Sequence, residues 1–271
     1  MAAITRAVGQ SGRRYLVERV LQEKPGPLGQ VYLASAGNQQ YILKSVPKND
    51  FKYFQDMFSD LRRSPYIRVA DDAIPDQSIF AYKYFKDHLL SFAQKDTPLP
   101  LIKGILRDSL RGITALHEKG IVYTDIKANN ILVNWDETDG NTTIQRVQIA
   151  DIEDSDPEAH ASGHVHKPSD IFSFRIVCIY AVTKRVIFAV ADEELEEGED
   201  KLAIHLGDSP WTQIFTVIAE GFNKEHPREP FALKDIESEF KDLVGKMTNI
   251  DPEGRITAHE ALLHRWFADA V

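Results

Sequence analysis

Between Val122 and Val133 the chain reads Val-Tyr-Thr-Asp-Ile-Lys-Ala-Asn-Asn-Ile-Leu-Val, which sets a carboxylate (Asp125), an ammonium (Lys127) and an amide (Asn130) within a few residues. Apolar triplets flank this polar cluster, Ile121 to Tyr123 before it and Ile131 to Val133 after it, and both read as short strands. A turn of that kind holds polar groups on a rigid floor. Phosphoryl transfer needs such a set: a carboxylate to accept a hydroxyl proton, a cation beside the moving group, and an amide oxygen for a metal ion. The plain alternative is a polar hairpin loop that carries the same residue types without chemistry. The rest of the chain decides between them.

With 271 residues, 43% of them hydrophobic and 27% charged, there is material for one large domain or two lobes. A formal net charge of -9 argues against a general nucleic-acid binder, because phosphate backbones are gripped by clustered Lys and Arg. Cys178 is the single cysteine, so neither an internal disulfide nor a cysteine metal site can form. The most apolar region, Ile171 to Ala191, is broken by Arg175, Lys184 and Arg185 and reads as a buried helix rather than a membrane span. No apolar signal core stands near Met1, and the expected location is intracellular, cytoplasmic or nuclear.

The first part is strand-rich. Tyr15 to Leu21 and Gln30 to Ala36 read as two strands around the turn Lys24-Pro-Gly-Pro-Leu-Gly29. Glycines such as Gly26 and Gly29 let a backbone approach phosphates, whereas Pro25 and Pro27 each remove an N–H that could meet one. Tyr41 to Val46 is a strand whose one charged residue is Lys44, a pattern that is ordinarily a solvated face. Phe51, Phe54, Phe58 and Leu61 fall at helical spacing, which predicts an amphipathic helix over residues 50–61. Ser78 to Phe85 is a further strand.

The second part is helical. Ile102, Ile105, Leu106, Leu110, Ile113 and Leu116 form one stripe of a helix from Leu99 to Lys119, stopped by Gly120. After the central stretch, a polar turn over Trp135 to Asn141 leads to a strand, Thr143 to Ala150, that ends at Asp151-Ile-Glu-Asp154. A carboxylate at a strand end beside Asn130 is a place for a hard cation. Lys167 to Phe174 reads as the start of the apolar helix, capped by Ser169 or Asp170. Asp192 to Asp200 is an acidic face or loop, and helices are predicted over Trp211 to Gly221 and Leu233 to Met247. The chain closes on Asp251-Pro-Glu-Gly-Arg-Ile-Thr-Ala-His-Glu-Ala-Leu-Leu-His-Arg-Trp-Phe267.

Taken in this order, the motifs resemble the eukaryotic protein kinase family, from about Tyr15 to Phe267. The resemblance implies an α+β fold of two lobes: a small β-rich N-lobe with one helix at residues 1–86 and a larger, mainly helical C-lobe at 87–271. It implies Mg2+ and ATP between the lobes, with transfer of the γ-phosphoryl group to a serine or threonine hydroxyl of a protein. Asp125 and Lys127 would be catalytic. Gly26, Gly29, Val31, Lys44, Asn130 and Asp151 would hold the nucleotide, with Asn130 and Asp151 on the metal. Adenine would meet the backbone near Lys83 to Phe85, the Asp leading the apolar helix would brace the catalytic loop, and Arg255 would pair with Glu158. Neither a particular substrate nor an oligomeric state follows, and no membrane or nucleic-acid partner is expected.

The departures from the family are specific. Lys24 occupies the first glycine position of the glycine loop, and Gln55 stands where the helix glutamate that pairs with the strand lysine is expected, turned inward. An amide there would leave Lys44 without that counter-charge. Asp151-Ile152-Glu153 replaces Asp-Phe-Gly, Arg175 replaces a glycine, and Thr124 replaces the arginine that receives an activation-loop phosphate. Asp156-Pro157-Glu158 resembles the end of the activation segment, yet only six residues separate Asp151 from Glu158. Their extended reach is about 25 Å, too short for a peptide shelf. The loss is either natural or the mark of a shortened gene product. Two other readings stand beside the active kinase: a pseudokinase that keeps the fold as a binding module, and a small-molecule phosphotransferase of related fold.

Overall fold

The structure is a computed structural model and describes residues 4–23, 30–154, 166–184, 236–249 and 251–270. Six antiparallel strands open the chain: Arg6–Val8 (β1), Arg14–Glu23 (β2), Gln30–Ala36 (β3), Gln39–Ser45 (β4), Asp72–Ile74 (β5) and Ile79–Lys83 (β6), side by side in the order β1-β2-β3-β4-β6-β5. Alternation along each strand sorts side chains to opposite faces. Tyr41 and Leu43 of β4, with Ile79 and Ala81 of β6, join Tyr15, Tyr32 and Ala34 in one apolar cluster. Phe80 and Tyr82 face the other way, and the register pairs Lys44 with Phe80, so the lysine shares their side.

That second face is covered by the helix Phe51–Leu61 (α1), whose buried residues are the predicted Phe51, Phe54, Phe58 and Leu61. Phe51 stacks on Phe80 with ring centroids 4.5 Å apart, and Phe58 meets Phe80 and Tyr82 edge-on. Such pairs add about 0.5–1.5 kcal/mol each beyond simple area burial.

The larger part begins with Asp87–His88 (β7) and Leu89–Phe92 (α2) and is built around Leu99–Glu118 (α3). The predicted stripe of α3 is buried, and Gly120 ends the helix at φ +75°. Gly112 lets α3 sit close to its neighbours: a Cβ there would lie 2.8 Å from the Tyr66 carbonyl oxygen and 2.9 Å from Ile149 Cδ1. Strands Ile131–Thr138 (β8) and Asn141–Ile149 (β9) form a three-stranded sheet with β7. The helix Lys167–Thr183 (α4), then Ser238–Met247 (α5) and Ala258–Leu262 (α6), pack on the same core. A capping box between Thr257 and Glu260 starts α6 within the closing motif. This is the two-lobed α+β architecture that the motif order implied.

Several local expectations are corrected. Ile121 to Tyr123 forms no strand, because the Tyr123 N–H is taken by the buried carboxylate of Asp170 at 2.8 Å rather than by a neighbouring strand. The polar turn is confined to Asp139 and Gly140, both at positive φ, and Trp135 to Thr138 belongs to β8. Two residues of that type close a hairpin by themselves. At the start of α4 the capping position is His166, with no side-chain cap, so neither Ser169 nor Asp170 caps it. The helix ends at Thr183, with Lys184 left-handed at φ 60°. The last long helix begins at Ser238. The glycine turn, the Asp156 to His160 segment, the acidic run and the helix predicted over Trp211 to Gly221 lie outside the described residues.

Candidate active site

The site forms where the end of β4, the loop before β8 and the end of β9 meet. In the loop, Asp125 accepts hydrogen bonds from Lys127 Nζ at 2.7 and 2.9 Å and from Asn130 Nδ2 at 2.8 Å. The Asn130 amide also donates to the Asp125 carbonyl at 3.0 Å and to the Tyr123 hydroxyl at 2.9 Å. Its nitrogen is thereby committed, and its oxygen remains as an acceptor. Asp125 and Lys127 are partly exposed, whereas Asn130 is buried.

Two supports hold this loop. Tyr123 donates its hydroxyl to the Ala150 carbonyl, and the Ala150 N–H bonds the Asn130 carbonyl at 2.8 Å, which ties the loop to the end of β9 just before Asp151. Burial raises the Tyr123 hydroxyl well above its ordinary pKa, so it remains a donor. From below, Asp170 of α4 accepts from the backbone of Tyr123 at 2.8 Å and of Thr124 at 2.9 Å, and meets His117 Nε2 at 2.8 Å. Thr124 is held at φ 65° and Asp151 at φ 56°, left-handed values that non-glycine residues adopt only under constraint.

Across the cleft, Val31 of β3 pairs with Lys44 of β4. Lys44 Nζ lies 3.3 Å from Asp151 Oδ1 and 3.2 Å from Glu153 Oε1. Five of the eight predicted site residues, Lys44, Asp125, Lys127, Asn130 and Asp151, thus belong to one connected network, and Val31 flanks it. Gly26 and Gly29 lie outside the described residues. Gln55 is corrected: it is half-exposed, and its amide donates to Gln10 Oε1 at 3.0 Å, not to the cleft. The inward face of α1 belongs to the phenylalanines, which displaces Gln55 to the flank.

Glu153, Tyr82 and Arg68 were not foreseen at the site. Glu153 is 2% exposed at its side chain and accepts the Tyr82 hydroxyl at 2.9 Å. Arg68 lies 4.7 Å over the Tyr82 ring and donates to the Lys83 carbonyl. The one sequence signal was an acid two residues after Asp151 combined with the lack of one at position 55.

As donors, the Asn130 oxygen and the Asp151 carboxylate suit Mg2+, which takes one or two carboxylates, substrate phosphates and water. No group of three or more His, Cys, Asp or Glu converges for a metal among the described residues, so an ion here would depend on the substrate for its remaining ligands. Nor is any described helix long and apolar enough to cross a membrane.

Comparison with known proteins agrees with this architecture. The family described as "Protein kinase domain" matches residues 155–267. Similar relatives include the serine/threonine-protein kinase ste20 of Emericella nidulans, 28% identical over 61% of this chain and 18% of its own length. The mitogen-activated protein kinase HOG1B of Wallemia ichthyophaga is 29% identical over 62% of this chain and 50% of its own. The mitogen-activated protein kinase kinase kinase 15 of Mus musculus is 26% identical over 90% of this chain and 19% of its own. Over these spans the chain is similar to serine/threonine protein kinases. It spans less than a fifth of the length of the ste20 relatives.

Proposed function

We propose that this chain is an ATP-dependent serine/threonine protein kinase domain, with its lobes divided between residues 86 and 87. The reading rests on one observation: the carboxylate, ammonium and amide of the Asp125 loop are hydrogen-bonded together and joined through Ala150 to the strand end that carries Asp151, itself paired with Lys44. A drifting relic would be expected to lose part of such a set.

In this reading Asp125 orients the acceptor hydroxyl of a protein substrate and takes its proton, while Lys127 neutralises charge that builds on the transferred group. Lys44 holds the nucleotide phosphates, and Asn130 with Asp151 would hold Mg2+. Held there, the ion would supply neutralisation of the phosphate charge. Positioning dominates the chemistry, which suits a loop tied down by Tyr123 and Asp170.

The test is turnover of radiolabelled ATP on generic protein substrates, beside a thermal-shift titration with Mg-ATP. Incorporation into protein is expected. Binding without turnover would instead identify a nucleotide-binding pseudokinase, a reading favoured by the position of Gln55 away from Lys44. Because Thr124 stands in the arginine position and the segment from Asp151 to Glu158 is short, activity is expected to be insensitive to loop phosphorylation. Phosphatase treatment of the purified protein should change its rate by less than about twofold, where a phosphate-gated kinase loses a phosphate-ordered segment. A large loss would reverse this expectation.

A further inference from the structure

We propose that Glu153 is the positioning residue for Lys44, supplying from the turn after β9 the counter-charge that α1 lacks. The inference rests on the phosphotransfer reading above.

Three observations carry it. Glu153 Oε1 lies 3.2 Å from Lys44 Nζ, so the contact is already made. The carboxylate is fixed, being nearly fully buried with the Tyr82 hydroxyl donating to the same oxygen at 2.9 Å. Asp151, which also meets Lys44 among the described residues, is 35% exposed and can turn toward a metal, whereas the buried Glu153 is held in place. Between Asp151 and Glu153, it is Glu153 that is suited to keep the ammonium in place throughout a catalytic cycle.

The surroundings are arranged to tolerate this buried charge. Arg68, stacked on Tyr82, adds a second positive group near both acids, and the Tyr82 hydroxyl is pushed far above its ordinary pKa by burial and by Glu153, which keeps it a neutral donor. Glu153 Oε2 is buried and accepts no hydrogen bond among the described residues, so it can take an ammonium released by Asp151. Glu153 also lies in the same short 3-10 turn, Ile152–Asp154, that follows Asp151. The placement of Lys44 then follows the strand end of the catalytic cleft and does not depend on where α1 sits.

The experiment is ADP binding by calorimetry in EDTA, so that no metal contributes, for the wild type, Glu153→Gln, Lys44→Met and the double variant, with folding checked by thermal unfolding. Glu153→Gln should weaken ADP about tenfold, as expected when a buried charge partner is removed, and should add nothing in the Lys44→Met background. Gln55→Glu should leave affinity unchanged. Should Glu153→Gln not fold, Tyr82→Phe replaces it: a few-fold loss that vanishes in the Lys44→Met background supports the assignment, and no change overturns it. Unchanged affinity in folded Glu153→Gln, losses that add to those of Lys44→Met, or tighter binding in Gln55→Glu each overturn it while the kinase reading stands. A wild type that binds no ADP, with Lys44→Met identical to it, overturns the kinase reading itself and the assignment with it.

Discussion

Asp125→Asn should lower phosphoryl transfer from ATP by about a thousandfold, the scale of a lost general base, while ADP affinity stays within about twofold. The asymmetry follows from geometry. Asp125 is held by Lys127 and Asn130 on the loop, whereas Lys44, assigned to the nucleotide phosphates, sits on β4 and pairs with Asp151 after β9, and ADP binding measured without metal does not draw on Asn130. Asparagine keeps the size and one acceptor oxygen, so Asn130 retains a partner. Stability should barely change, since the Asp125–Lys127 pair is partly exposed and such pairs contribute about 0–1 kcal/mol. Initial rates over a range of ATP concentrations, with calorimetric ADP binding, separate the two effects. Retained turnover would remove Asp125 from the chemistry, and a parallel loss of ADP affinity would make it a binding residue.

What was legible in the sequence was what short range or strict period determines. Asp125, Lys127 and Asn130 lie in one loop, so their spacing alone could bring them together, and it did. The α1 and α3 faces were legible because a helical stripe has no other way to be buried. Lys44 could be placed on its strand, although its pairing with Glu153 could not be foreseen. Glu153 read locally as a glycine replaced by a charge, a loss of flexibility, and its role emerged only when Tyr82 and Lys44 were seen against it. Gln55 was misplaced for the converse reason: the family position fixed which residue to look at, but four bulky apolar side chains decided which face of α1 turned inward. Ile121 to Tyr123 had the composition of a strand, yet its backbone donor is met by a carboxylate 47 residues further on. No local propensity carries that information.

The same carboxylate sets a large expected effect on stability. Asp170 is 1% exposed and meets three groups, the N–H of Tyr123, the N–H of Thr124 and the His117 ring. Asp170→Ala leaves those groups without their acceptor, at a cost of about 3–5 kcal/mol for a broken buried network. At roughly 2–4 °C per kcal/mol for a chain of this size, the midpoint of thermal unfolding should fall by roughly 6–20 °C. Catalysis should suffer beyond this. Thr124 holds φ 65° next to Asp125, and a left-handed threonine persists only while its surroundings impose it. Released from Asp170, the loop can return to negative φ and carry the Asp125 carboxylate away from the cleft. Transfer should therefore be lost at temperatures where circular dichroism still reports a folded protein. Thr124→Gly separates the two effects, because glycine accepts that conformation without strain: it should leave stability unchanged or raise it by about 1 kcal/mol in the wild type, and should restore no activity to Asp170→Ala. Full activity in a folded Asp170→Ala protein would mean that the loop holds its shape unaided, and that the brace beneath it serves the core alone.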